Sequence, residues 1–526
     1  MNKPQTLTEK YWGTQFTLTE ADIEQIYNLF LEKEKPLTIE EITRQVMTSR
    51  VIEEKNEIER RLSGRILYQP AKSYQVGQEL VFPALKFAYG KVVAIREGNN
   101  PQDGTFKVIG VEINQKVREF AAELDNQHVL NQSNGESWNP VADVDVEGLV
   151  AQFGADVTRK INIHLQKQSE FVRLSGYWFA KSLLPEINTG HRHLAHAVLE
   201  MYEGGPLPTE EILPHLDLDS GRNPEVGIFA LNQALREDDR FDEVAPRGHV
   251  AWFLRKMEPE DVRETPERLR YRSIPYDRAL LSPQLLLLER ELDDEWSNLE
   301  SYPSQQPVSF TLTYPHRTSG TIPLSSRIKA ILPLGETPRQ RFRFVDQVTG
   351  QEVISWVVKE GRYITGFREW FQEHNFPVGG YITLQPGSEP GVISLDYERR
   401  RPQREYVRLA SVDEHNQNRI RFEHNKRNIS GGFDDLMIVG TDFGVAIDAL
   451  FRRMEARQQS VADLLADLFP ELAGLNPQNT VHAKTLYSAI NMLRRVPPGP
   501  LFSELVRHSA FVAVGDHYWQ FNPQRW

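Results

Sequence analysis

Between Thr19 and Phe30 the apolar positions Ile23, Ile26, Tyr27 and Phe30 recur at spacings of three and four, the period of an amphipathic helix, behind a start at Thr19-Glu20-Ala21-Asp22. A second start, Thr38-Ile39-Glu40-Glu41, is followed by Ile42 and Val46. A third apolar stripe, Val51, Ile58 and Leu62, continues to the end of this region. Three short helices predict a helix-turn-helix unit over residues 18–66. The period then changes from helical to alternating. Segments Ile66–Tyr68, Glu79–Phe82, Gly90–Ile95 and Thr105–Val111, punctuated by Val76-Gly77, Gly98-Asn99 and Asp103-Gly104, predict a small β-barrel or sheet over 67–116. Val141 to Leu184 reads as helical, giving a connector over 141–190.

The same plan recurs. Leu194, Val198 and Met201 mark one helix, Thr209-Glu210-Glu211-Ile212 opens the next, and a third runs from about Pro224 to Glu237. Phe241–Val244, a turn at Pro246-Arg247-Gly248 and Val250–Leu254 then form a hairpin, so 191–257 reads as a winged helix. Residues 258–304 are charged, with one helix from Ser282-Pro283 to about Trp296, and read as a spacer. At the other end, Val461–Leu468, His482–Arg494 and Phe502–Arg507 precede a hairpin Phe511–Val514 and His517–Phe521 turned by Gly515-Asp516, which predicts a C-terminal winged helix over 455–526.

Two stretches resemble known families. Leu235-Arg236-Glu237-Asp238-Asp239-Arg240-Phe241-Asp242-Glu243-Val244 before Trp252, and the aromatic wing Tyr518-Trp519-Gln520-Phe521, resemble the HARE-HTH winged-helix family of polymerase accessory subunits, restriction systems and chromatin regulators. From Val308 to Ser394 the order of elements is similar to the B-three pseudobarrel of plant transcription factors and restriction endonucleases. Strand Val308–Tyr314, loop Pro315–Gly320, Thr321–Pro323 and helix Ser325–Ile331 come first. Strands Arg341–Asp346, Glu352–Val358 and Tyr363–Gly366 follow, then a helix carrying Phe367, Trp370 and Phe371, and finally Tyr381–Leu384 and Val392–Leu395. The expected fold is therefore α+β and multidomain: winged helix-turn-helix units, a small β-barrel, and a seven-stranded pseudobarrel over 305–398, with a basic linker and small α/β segment over 399–454.

The B-three resemblance implies two arms that grip the major groove of double-stranded DNA, by position Pro315–Gly320 and Lys359–Arg362. Arg317, Lys359 and Arg362 suit phosphates or guanine edges, and His316, Thr318 and Ser319 offer short hydrogen-bonding groups. The alternative is that these are ordinary polar loop residues. Arg399, Arg400 and Arg401, with Arg404 and Arg408, either track a phosphate backbone or form a solvated linker. Trp356, Trp370 and Phe371 fall on inward positions and read as core rather than as stacking platforms for bases.

Charge and composition narrow the functions. The net charge of −12 argues against indiscriminate binding to nucleic acid, yet residues 305–428 hold 18 Lys/Arg against 13 Asp/Glu, leaving 43 against 60 elsewhere. At 526 residues the chain exceeds a single core. No run approaches a membrane span, and the start MNKPQTLTEKYWGTQ has no secretory pattern, so a cytoplasmic protein is expected. With no cysteine, disulfides and thiolate metal sites are excluded. His191, His193 and His196 would need a further ligand to hold zinc, and without HExxH they read as a polar helix start. Asp434, Asp435 and Asp442 sit among glycines and read as turn residues before metal ligands. His482 reads as a capping or surface residue. The pair Arg494-Arg495 reads as complementing a helix dipole. Phosphate-loop, dinucleotide, nucleophile-elbow and nuclease signatures are missing, so neither an enzyme nor a cofactor is expected. The expectation is a sequence-specific or modification-sensing DNA-binding protein, a regulator or the recognition part of a defence system. Its alternative is an acidic accessory protein that docks on RNA polymerase or another partner protein.

Overall fold

The computed structural model describes residues 4–62, 66–82, 85, 88–100, 104–124, 144–218, 223–297, 299–300 and 307–526. The turn expected at Asp103 and the first residues of the connector, 141–143, lie outside these. Two compact units emerge: Met1–Glu186 with Leu218–Ala230, and Ile187–Asp217 with Leu231–Trp526. Among the described residues no helix is long and apolar enough to cross a membrane.

In the first unit, helix Glu20–Lys33 begins in a capping box between Thr19 and Asp22. The two helices expected over 38–62 are one, Ile39–Leu62, because no glycine or proline interrupts a run of helix formers. The third helix of the bundle is Val146–Leu165, docked on it through Thr43 Oγ1 and Thr158 Oγ1 at 3.0 Å. What was expected to be continuous helix to Leu184 instead turns into a hairpin, Phe171–Leu174 with Tyr177–Ala180, to which Leu37–Thr38 adds a third strand. Phe30, Ile42, Met47, Val157, Ile161 and Trp178 form the core beneath. Inserted between the second and third helices is a five-stranded sheet running from Ile66–Leu67 to Lys116–Ala122, one strand more than the alternation suggested.

The second unit opens with helices Thr189–Met201 and Thr209–Ile212, the part of helix Pro224–Arg236 from Leu231 onward, and a three-stranded sheet of Phe241–Glu243, Ala251–Leu254 and Leu207–Pro208. Trp252 Nε1 lies 2.8 Å from Asn232 Oδ1 and 3.1 Å from Thr209 Oγ1, so its one polar atom is satisfied inside the core. The central element is a seven-stranded sheet in the spatial order Val308–Thr311, Tyr381–Pro386, Val392–Asp396, Arg339–Asp346, Glu352–Val358, Tyr363–Thr365, Thr321–Pro323. All neighbours are antiparallel except Arg339–Asp346 with Val392–Asp396. The sheet curls into a half-barrel around Phe342, Phe344, Phe367, Trp370 and Phe371. Trp356 is equally buried but faces a second cluster with Phe253 and Tyr363.

Residues 399–454 are not a linker. Arg399–Val412 and Ile420–Gly431 pair in a long antiparallel ribbon, with Val439–Gly440 added on one side and helix Gly444–Arg457 following. The last rungs, Ala410 with Phe422 and Val412 with Ile420, reach a core made by helices Val461–Ala473, Ala483–Ile490 and Pro498–Arg507. A sheet of Val481–His482, Tyr518–Phe521 and Phe511–Gly515 closes the chain. Residues 258–297 are no free spacer either, since helix Pro283–Leu292 places Leu285 and Leu288 in that same core.

Candidate nucleic-acid interface

The site residues expected on the two arms are partly to fully buried and bonded within the chain. Pro315–Gly320 is not an open loop: Tyr314–Ser319 is a short helix ended by Gly320 in the left-handed region, φ 72°. His316 is 1% exposed, its Nδ1 2.9 Å from Thr321 Oγ1 and its Nε2 3.2 Å from Glu295 Oε1. Arg317 donates Nε to Phe376 O at 2.6 Å and lies over the Phe371 ring, and burial lowers its pKa. The Thr318 hydroxyl donates to Tyr314 O at 2.9 Å, and Ser319 is buried. In the second arm Lys359 donates to Gly335 O, and Arg362 donates to Glu295 O at 2.9 Å while stacking on Trp296. His316 and Ser319 present no surface to a duplex, and the cations are committed to carbonyls and rings of the chain itself.

The covering piece is Asp293-Asp294-Glu295-Trp296. Asp293 accepts from the Arg327 amide and from Arg327 Nε, both at 3.1 Å. Arg495 donates to Asp294 at 2.6 Å and to Glu295 at 2.7 Å, all three side chains being almost wholly buried. Arg495 was expected to complement the end of a helix, but that helix stops at Ile490 and the guanidinium turns inward. Burial opposes the Glu295 carboxylate, yet Arg495 and His316 outweigh it and hold its pKa well below the usual carboxylate range. Burial raises that of Asp294.

The ribbon is built differently. The half-barrel, residues 305–398, contains nine Lys/Arg and nine Asp/Glu, whereas 399–431 contains nine against four, so the entire local excess of positive charge belongs to the ribbon. Opposite residues of an antiparallel pair share a face. One face carries Val407, Leu409 and Ile429, buried with Ile438. The other carries the consecutive rungs Arg404–Asn428, Tyr406–Lys426 and Arg408–His424. Tyr406 is 60% exposed with Lys426 Nζ 4.8 Å from its ring centroid. Arg399 is tied to Asp346 and Asp396, and Arg400 to Glu398. Arg401 and Arg404 are exposed with no carboxylate partner among the described residues. The ribbon is held at both ends, by the apolar core at Ala410 and Phe422 and at the barrel by the Tyr381 amide donating to Gly432 O at 3.0 Å.

At the Arg408–His424 rung the exposed face runs into a cleft of about 230 Å³ shared with the C-terminal helices and hairpin. Its lining includes Leu436, Leu475, Val481, His482 and Tyr518. Arg408 donates to Asp435 O at 2.7 Å. His482 does cap a helix, its Nδ1 accepting the Lys484 amide at 3.0 Å, but it is 7% exposed rather than on the surface. Burial lowers its pKa to about 4.

The other candidates are structural in their placement. His191 closes a capping box with Asn188, and Asp434 accepts the Leu436 amide at 2.9 Å and pairs with Lys484 at 2.8 Å. Asp442 pairs with Arg427. Among the described residues no group of three His, Asp or Glu is placed to hold a metal ion. Compared with known proteins, the chain matches no family model, no curated protein and no solved structure.

Proposed function

We propose that the protein binds double-stranded DNA, as a regulator or as the recognition part of a defence system, and that the ribbon Arg399–Gly431 is its reading surface. One observation carries the proposal: a rigidly anchored two-stranded ribbon exposes one face in which Arg404, Lys426 and Asn428 surround an exposed Tyr406, in a chain that is otherwise acidic. A two-stranded ribbon fits the major groove, and cations with an amide side chain supply both phosphate contacts and base-edge hydrogen bonds. Same-face rungs lie about 7 Å apart, about two nucleotide steps along one strand. Because both ends are fixed before binding, little ordering entropy is lost on association. The helix-and-hairpin elements at 191–257 and 455–526, read as winged helices, and the seven-stranded half-barrel, read as a B-three-like pseudobarrel, support the same assignment as its scaffold.

The test is fluorescence anisotropy of a labelled duplex at two salt concentrations. Arg404→Ala with Lys426→Ala should weaken binding at least about tenfold and lower the salt slope by about two, one unit for each lost phosphate contact. Unchanged affinity and slope in this folded double variant would remove the ribbon as the DNA-binding face and favour docking on an acidic partner protein.

A further inference from the structure

The register of the ribbon connects its exposed face to a half-open cleft. Arg404–Asn428 and Tyr406–Lys426 are open, and the next rung, Arg408–His424, forms one wall of the 230 Å³ cleft. The cleft falls below the several hundred cubic ångströms of a typical drug-sized pocket and suits a single planar group. Its aliphatic lining is Leu436, Leu475 and Val481, its polar lining includes Asn476, Thr480 and Thr485, and it is also lined by Tyr518, whose ring centroid is 4.9 Å from that of His482. Aliphatic and aromatic groups interleaved with hydrogen-bonding ones suit a flat heterocycle that carries polar edges, and Arg408 beside them favours an attached anion.

A second observation points to a ligand. His482 is more than nine-tenths buried and lines the cleft. Because Nδ1 accepts the Lys484 amide, the neutral ring carries its proton on Nε2, and Nε2 has no hydrogen-bond partner among the described residues. A ring N–H with no acceptor from the protein can be satisfied by an acceptor-bearing occupant of the cleft. Arg408 Nη1 is shared by Asp435 O and Ile438 O, and no partner of its Nε or Nη2 is present among the described residues.

We propose that the cleft holds one unpaired nucleotide of the bound DNA, its base between the aliphatic lining and Tyr518 with an acceptor on His482 Nε2, and its phosphate at the Arg408–His424 rung. The inference rests on the ribbon being the DNA-binding face, and it adds that the protein distinguishes a continuous duplex from one with a nucleotide out of the stack. Removing a base from the stack costs least where it is already unpaired, so such sites bind best.

The experiment uses the full chain and two duplexes of the same sequence, one fully paired and one with a 2-aminopurine nucleotide opposite an abasic site. Preference for the second should be about tenfold, with the 2-aminopurine emission quenched on binding as the base stacks. Leu475→Trp fills the cleft and leaves the ribbon's exposed cations Arg404 and Lys426 in place, and His482→Asn keeps an N-cap acceptor while deleting the ring donor. Both should retain the parent's affinity for the paired duplex and its melting temperature, and the preference should fall to within about twofold. Equal affinity for the two duplexes in the parent protein, or a preference that survives Leu475→Trp, overturns the inference and leaves the ribbon reading intact. Failure to bind either duplex removes the ribbon reading itself. Saturable binding of free deoxyadenosine monophosphate at the cleft, with no preference between duplexes, assigns the space to a free nucleotide and overturns the strand-borne form.

Discussion

The half-barrel and the ribbon lie next to each other in sequence and both are rich in arginine, yet they use that residue in opposite ways. In the half-barrel the guanidinium groups hold the fold together: Arg317 on Phe376 O, Arg339 between Asp242 and Glu258, Arg362 on Glu295 O, with charges balanced nine to nine. In the ribbon Val407, Leu409 and Ile429 are buried on one side, and the other side is basic with few carboxylates to neutralise it. Local charge density averaged over both hides the contrast. What decides whether an arginine is available to a partner is whether the fold already offers it a carbonyl, a ring or an acid.

The largest effect that would sharpen this contrast concerns Arg495. Arg495→Ala leaves Asp294 and Glu295 buried without their cation, and should cost about 3–5 kcal/mol of stability in chemical denaturation. Adding Asp294→Asn and Glu295→Gln to Arg495→Met should recover most of that loss. If the single variant is as stable as the parent, the buried network is not what seals the half-barrel's arms.

A smaller effect separates the two regions directly. Arg317→Ala and Lys359→Ala each strand a carbonyl, at about 1–3 kcal/mol of stability, while duplex affinity stays within about twofold of the parent. A folded arm variant that loses affinity as the ribbon variants do would erase the distinction and restore the arms as a contact surface.

A further test is the pH dependence, and here the two regions carry opposite signs. Near the ribbon, burial lowers His482 from 6.5 to about 4, so between those values the unfolded chain binds the additional proton and stability rises with pH. Beside the half-barrel, Glu258 is pushed up from 4.5 to about 8, first by burial and then by Asp242. Over that window the folded chain retains the proton, and stability falls as pH rises. Denaturation midpoints of His482→Asn should lose the first slope, and those of Glu258→Gln the second. A parent-like slope in either variant would move the titration to another group.

How much of this was legible in the chain depended on whether a segment has a buried face. Arg339–Asp346 alternates inward and outward, and the half-barrel's strands follow from that period almost residue by residue. The far end of the ribbon, Arg399 to Glu405, is nearly all partly or fully exposed, so no alternation marks it and it reads as a linker. The polar run Pro315–Gly320 has the composition of a loop, but its partners Glu295 and Phe376 lie about 20 and about 60 residues away, beyond any local pattern. One signal was present and missed: Ser175-Gly176, both at positive φ, is a two-residue turn between Phe171–Leu174 and Tyr177–Ala180.

The acidic wedge Asp293–Trp296 has a practical consequence for dissecting the chain. A fragment cut to begin after it would bare His316, Arg327 and Arg362 at once, removing the Glu295 carboxylate beside the first, the Asp293 carboxylate that pairs the second and the Glu295 carbonyl that holds the third, while keeping the ribbon's excess charge. Such a fragment should bind polyanions of any kind more tightly than the intact protein, a gain of adhesion created by the cut. Deletion mapping would therefore credit the half-barrel with an affinity that the whole molecule keeps folded away, and point substitutions in the uncut chain are the sounder way to assign the contact surface.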